Sequence, residues 1–148
     1  MIASGLLPNN EPRIGTMTNN LLLLVGRILL SILFLVSGAG KFGAMGPALA
    51  GMFGQMGLPA PLLLAYLVGL CEIAGGLALV TGIQSRSASL LLAGWCVMTG
   101  IVVHRGVPVD LMKNLALAGG LLALATSSPG AFALNQFARK RARSVAAR

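Results

Sequence analysis

The stretch that most constrains this chain runs from Pro61 to Thr81, PLLLAYLVGLCEIAGGLALVT, an apolar run with a single carboxylate, Glu72, at its centre. A run of this length matches the ~20 apolar residues a helix needs to cross a bilayer. A carboxylate at mid-membrane costs roughly 2.5–3.5 kcal/mol on insertion scales, so it is expected to face the protein interior and to have a partner. Gly69, Glu72 and Gly76 fall at i, i+3 and i+7, on one helical face. A small–acidic–small stripe belongs to a packed interface rather than to a lipid-facing side.

Composition extends this to the whole chain. Of its 148 residues 56% are hydrophobic and 9% charged, against about 25% charged in soluble domains. The chain is therefore expected in a lipid bilayer, as one domain. Its net charge of +8 is unevenly spread, with Arg139, Lys140, Arg141, Arg143 and Arg148 crowding the C-terminus. A basic run beside the last span reads as a topology signal or a contact with anionic lipid. Nucleic acid is not an expected partner, because no reading module accompanies the basic run. Cys71 and Cys96 lie in separate spans without metal-ligand spacing and read as small buried apolar residues.

Four spans are expected, at about 21–40, 61–81, 87–103 and 109–126, between a polar N-terminal tail (1–20) and a basic C-terminal tail (129–148). The first twenty residues lack the pattern of a cleaved signal and are expected to be poorly ordered; translation from Met17 is an alternative start. In the first span Arg27, Ser31, Phe34, Gly38 and Lys41 share one face. Arg27 can snorkel to the interface or turn inward toward Glu72. The Gly-, Met- and Pro-rich segment 42–60 reads as a short helix at the membrane surface, roughly Pro47 to Met56, with the content of an apolar lid, or equally as a connecting loop. Short connections between four spans predict an all-α membrane protein, a four-helix transmembrane bundle. Arg13, Arg86 and the tail charges lie on one side, and Lys41, Arg105 and Lys113 on or near the other. The positive-inside rule then puts both termini in the cytoplasm. A weak repeat, Gly57-Leu58-Pro59 with AGGLALVT (74–81) against Gly106-Val107-Pro108 with AGGLLALAT (118–126), fits either two related hairpins or chance similarity of Leu/Ala/Gly-rich spans.

Counting 1.5 Å per residue places Glu72 about 15 Å, Lys113 about 8 Å and Arg27 about 9 Å from the nearest face. Either cation can then reach toward the carboxylate. Lys41, His104, Arg105, Asp110, Lys113 and Asn114 are expected at the outer helix ends, giving a net-positive mouth above a central carboxylate. The candidate ligand-binding residues are Glu72, His104, Lys113, Asn114, Arg27 and Lys41. They read either as an ion-pair network that fixes helix register or as a pocket for an apolar or anionic small molecule, with Glu72 and His104 moving protons. A quinone suits that pocket, because its carbonyls accept hydrogen bonds and its reduction consumes protons. One histidine cannot supply a haem pair. No metal cluster, nucleophile–base pair or phosphate loop is legible, so no metal and no covalent cofactor are expected, and a redox centre has to come from a partner subunit or a bound quinone.

The segments GRILLSILFLVSGAGKF (26–42), GLPAPLLLAYLVGLCEIAGGLALVTGIQSR (57–86), His104 and DLMKNLALAGGLLAL (110–124) together resemble the DoxX family, within the wider DoxD-like group, over about 21–128. The most specific parts are the early arginine, the S-G-x-G-K that ends span one, the E-x-x-G-G of span two, the G-x-x-x-R after it and the K-N that opens span four. The resemblance implies a four-span protein of the bacterial inner membrane. It also implies a link to quinone-coupled redox systems: the family is named for a small subunit associated with passing thiosulfate electrons to quinone, and other members are linked to membrane oxidoreductase complexes and to thiol or oxidative stress. The soluble domain of larger thiosulfate-oxidising relatives has no counterpart in this sequence, so thiosulfate oxidation itself is not expected. The functional expectation is an accessory subunit of a quinone-linked membrane redox system, beside an oxidoreductase partner. The alternatives are a proton-coupled small-molecule or ion permease, possible as a homo-oligomer, and a membrane anchor that recruits a soluble enzyme through its basic tail.

Overall fold

The structure, a computed structural model, describes residues 13–104, 106–127 and 133–134. Residues 1–12, Arg105 and most of the basic tail lie outside it, so the readings that fall on them stay as sequence expectations. Five helices follow one another: α1 (Arg13–Gly40), α2 (Met45–Gln55), α3 (Pro61–Thr81), α4 (Ser85–Val102) and α5 (Pro108–Thr126). Four are long and apolar enough to span a membrane: Met17–Gly40 of α1, α3, α4 and α5. No strand occurs among the described residues, and the all-α four-span bundle is as expected. α1 begins earlier than the expected boundary at 21. No proline stands between Arg13 and Leu21 to interrupt it.

Two tight helix pairs make the bundle, α1 with α3 and α4 with α5, joined more loosely through α3–α4 and α1–α5. Glycine allows the first pair to approach. A Cβ on Gly38 would stand 2.7 Å from the carbonyl oxygen of Gly69, and one on Gly69 would stand 2.9 Å from that of Gly38. The face read from the sequence is the buried one: Arg27, Ser31, Phe34 and Gly38 on α1, with Lys41 just after it, are buried, as are Ala65, Gly69, Glu72, Gly76 and Leu79 on α3. Outward faces carry exposed Leu29, Val36, Leu91 and Met112, as suits contact with lipid. Pro61 opens α3 and Gly82, at φ 74°, closes it.

The packed core lies toward the end of the bundle that holds Arg27. Phe34, Leu79, Leu92, Ala93, Cys96, Ala118 and Leu121 form one buried cluster there. The other end is looser, and its cause is the length of α1. Gly38 is level with Gly69, eight residues into α3, or about 12 Å at the helical rise. α1 runs two residues past Gly38, to Gly40, so the first span stops about 9 Å short of the level at which α3 begins. α2 covers the remaining distance along α3, with Gly46 against Tyr66 and Gly54 beside Pro61. The helix expected between Pro47 and Met56 is thus present at Met45–Gln55, packed along α3 with Gly46 buried and most of its other residues exposed. Its sequence, MGPALAGMFGQ, has no charged residue, whereas a helix at a water interface carries a charged face. α2 follows α1 after a turn at residues 41–44.

Candidate functional site

The turn brings Lys41 to Glu72. Lys41 follows Gly40 at the end of α1, and its ammonium reaches the carboxylate at 2.7 Å, with both side chains under one-tenth exposed. Lys41 also donates to the Ser37 hydroxyl at 3.0 Å, so the cation is held near the C-terminal end of α1, where the helix dipole favours positive charge. The second carboxylate oxygen, Oε1 of Glu72, accepts from the indole N–H of Trp95 on α4 at 3.1 Å. Glu72 therefore ties three helices together, through an ion pair to α1 and a hydrogen bond to α4.

Lys41, Glu72, Trp95 and Ser37 line a cavity of about 1340 Å³ that is bordered by all five helices. Small-molecule sites usually span about 300–1,000 Å³, so the space is ample for one. Most of its wall is apolar, from Leu33 and Phe34 on α1 through Met52 and Phe53 on α2 to Leu117 on α5, and Cys71 and Cys96 line it too. His104, Asp110, Lys113 and Asn114 stand at the α4–α5 end of the lining. There Lys113 pairs with Asp110 at 2.9 Å, largely in the open, and the Asn114 amide donates to the Asp110 carbonyl at 2.9 Å. Gly100 lets this end of α5 close on α4, since its Cβ would meet Asn114 at 3.1 Å and Leu111 at 3.2 Å.

Five of the six residues singled out in the sequence thus line one cavity: Lys41, Glu72, His104, Lys113 and Asn114. Arg27 stands apart. It is buried and turned inward, but toward the end of α3: its Nε donates to the Leu79 carbonyl at 2.8 Å and its Nη2 to that of Val80 at 2.9 Å. Carbonyls in the last turn of a helix lack intrahelical partners, and an arginine from a neighbouring helix supplies two donors and a favourable charge. Leu79 is seven residues, about 10 Å, along α3 from Glu72. Glu72 is met by Lys41, not by Arg27 or Lys113, because α1 ends deep in the bundle instead of at its surface. The sequence reading missed Trp95 and Ser37. A lone tryptophan mid-span needs a partner for its N–H, and Ser37 stands one helical turn before Lys41; both signals were available.

The family model for DoxX matches residues 22–105. Inner membrane protein YqjF of Escherichia coli is 37% identical over 123 residues, covering 80% of this chain and 92% of the relative. Inner membrane protein YphA of the same organism is 26% identical over 125 residues, covering 78% and 89%. A membrane protein of Mycobacterium tuberculosis, Rv3486, is 30% identical over 140 residues, covering 82% and 84%. No solved structure matches the chain significantly. The matched segment contains Lys41, Glu72, Trp95 and His104, all of which line the cavity. With four apolar spans and relatives of the inner membrane, this multi-pass membrane protein belongs to the DoxX family.

Proposed function

We propose that this chain is an accessory subunit of a quinone-linked membrane redox system, and that its cavity holds the quinone or a related apolar molecule with its polar end at Glu72. One observation carries the reading: a cavity of about 1340 Å³, mostly apolar, has the Lys41–Glu72 ion pair on its wall. A buried ion pair adds little net stability compared with apolar residues of similar volume, so its place on the wall of a ligand-sized space supports a role beyond packing. The charges of the described lining cancel in pairs, Lys41 with Glu72 and Lys113 with Asp110. That balance favours an uncharged occupant over the small anion that a basic mouth would attract.

A quinone bound there would supply two carbonyl acceptors and a couple that takes up protons as it is reduced. Lys41 can present an N–H to such a carbonyl, and Glu72 and His104 are the groups of the lining suited to hold or pass a proton. Electrons have to come from a partner subunit, since one histidine and two cysteines give this chain no haem pair or cluster of its own. The test is mass spectrometry of small molecules that co-purify with the wild type and with Glu72→Gln, with thermal unfolding as the control for fold. A quinone present in the first and depleted in the second supports the site. Equal lipid and no quinone in either, from two well-folded proteins, overturns it in favour of a permease or an anchor.

A further inference from the structure

The cavity offers more than one polar end. Trp95 is the only tryptophan of the chain; it is half-buried, and it lines the cavity. Its single polar group is committed, because the indole N–H donates to Glu72 Oε1. Whatever occupies the cavity therefore meets Trp95 as ring carbon. The N–H end of the ring is also anchored, since the carboxylate it binds is held from the other side by Lys41 at 2.7 Å. An anchored aromatic surface beside a charge-balanced polar end selects for a flat ring, because offset stacking of planar π-systems adds to what area burial alone provides.

We infer that Trp95 is the stacking wall of the site and that its ligand carries a planar, uncharged aromatic or quinonoid ring, lodged beside the Lys41–Glu72 pair. The ligand class deepens the quinone reading and rests on the cavity being a binding site, but it does not require the ligand to be a quinone. Trp95 serves as a specificity residue. Its carbon face tells flat rings from saturated ones, while its N–H positions Glu72.

The experiment uses the full chain in lipid nanodiscs and reads the intrinsic fluorescence of its one tryptophan together with direct equilibrium binding. Three probes separate the claims: decylubiquinone, 2-methylnaphthalene and its saturated counterpart 2-methyldecalin. In the wild type the naphthalene is expected to bind several-fold to tenfold more tightly than the decalin, and to change Trp95 emission saturably. Trp95→Phe keeps an aromatic face and should retain most of that preference; Trp95→Leu should abolish it while the decalin still binds. The Phe variant doubles as the control for the lost N–H, and unfolding midpoints show whether each variant is folded. A naphthalene-to-decalin preference absent from the wild type, or undiminished in a folded Trp95→Leu, overturns the wall. If the preference is present but decylubiquinone fails to bind, the quinone reading falls and the flat-ring site stands. If decylubiquinone binds and Trp95→Leu leaves both its affinity and the ring preference unchanged, the quinone site stands and the wall falls.

Discussion

An ammonium and a carboxylate buried 2.7 Å apart in an apolar bundle are stable together and costly apart. Removing one leaves a charge without an answer in a region where water is scarce. Lys41→Met and Glu72→Gln, each alone, are expected to lower stability in detergent, the lysine change by about 3–5 kcal/mol because it strands a full negative charge. The double variant removes both charges and keeps an acceptor for the Trp95 N–H, so it should recover most of the loss. Thermal or denaturant unfolding of the four proteins closes a double-mutant cycle, and additive losses would show that the two residues are not coupled. Arg27 is a different case. It answers the last carbonyls of α3 and is remote from the cavity. Arg27→Lys keeps the charge but cannot reproduce two donors aimed at successive carbonyls, and it is expected to cost about 1.5–3 kcal/mol. Ligand affinity in the same variant should be unchanged; a loss of binding without a loss of stability would move Arg27 into the site.

Among the elements, the α1–α3 pair depends on two glycines that face each other. A Cβ on Gly69 meets the Gly38 carbonyl at 2.9 Å and the Lys41 Cβ at 3.1 Å, and backbone cannot step aside as a side-chain tip can. Gly69→Val is therefore expected to push the end of α1 off α3, costing about 1–3 kcal/mol and loosening the Lys41–Glu72 contact. Gly94 on α4 has open space around it, so Gly94→Ala should be neutral or stabilising by up to about 1 kcal/mol. Unfolding of the two variants side by side checks whether glycine matters here by position or by number. The buried face of α1 was legible in the sequence because it is periodic: Arg27, Ser31, Phe34, Gly38 and Lys41 keep helical spacing whatever surrounds them. The depth at which α1 stops was not legible. An apolar segment such as 42–60, without charges, gives no local sign of lying on a surface, under a lid or inside the bundle; only its packing on α3 decides. That one unknown displaced the partner of Glu72, since depths counted from each span's surface end favoured Arg27 and Lys113. Trp95 was missed for the same kind of reason, because which helix faces the carboxylate is a property of the assembled bundle.

At the scale of the molecule, one end is closed by the packed core and Arg27, and the other holds the cavity. Which end faces the cytoplasm decides which compartment lies nearest the cavity lined by His104 and Glu72. The positive-inside argument strengthens once burial is considered, because it concerns charges near the membrane ends. Lys41 drops out of the count at the α2 end, being drawn into the bundle, which leaves Lys113 and, by sequence, Arg105 on that side. At the opposite end Arg86 is exposed in the first turn of α4. The chain leaves α5 at that same end, where Ala133 is packed on Gly82, and the basic tail follows in sequence. The Arg27 end is accordingly expected in the cytoplasm and the cavity end on the far side. Single cysteines placed in a Cys71→Ala, Cys96→Ala background can read this directly. Ser87→Cys, exposed at the start of α4, should react with a membrane-impermeant maleimide only in inverted vesicles, and Val107→Cys, exposed before α5, only in intact spheroplasts. The reverse pattern would turn the bundle over and put the cavity end on the cytoplasmic side. Labelling of both sites from both sides would instead point to a dual insertion that the tail charges are too weak to prevent. In the expected orientation, the quinone-linked role proposed above would draw its protons from outside the cytoplasm and would need a partner whose electrons reach the same depth.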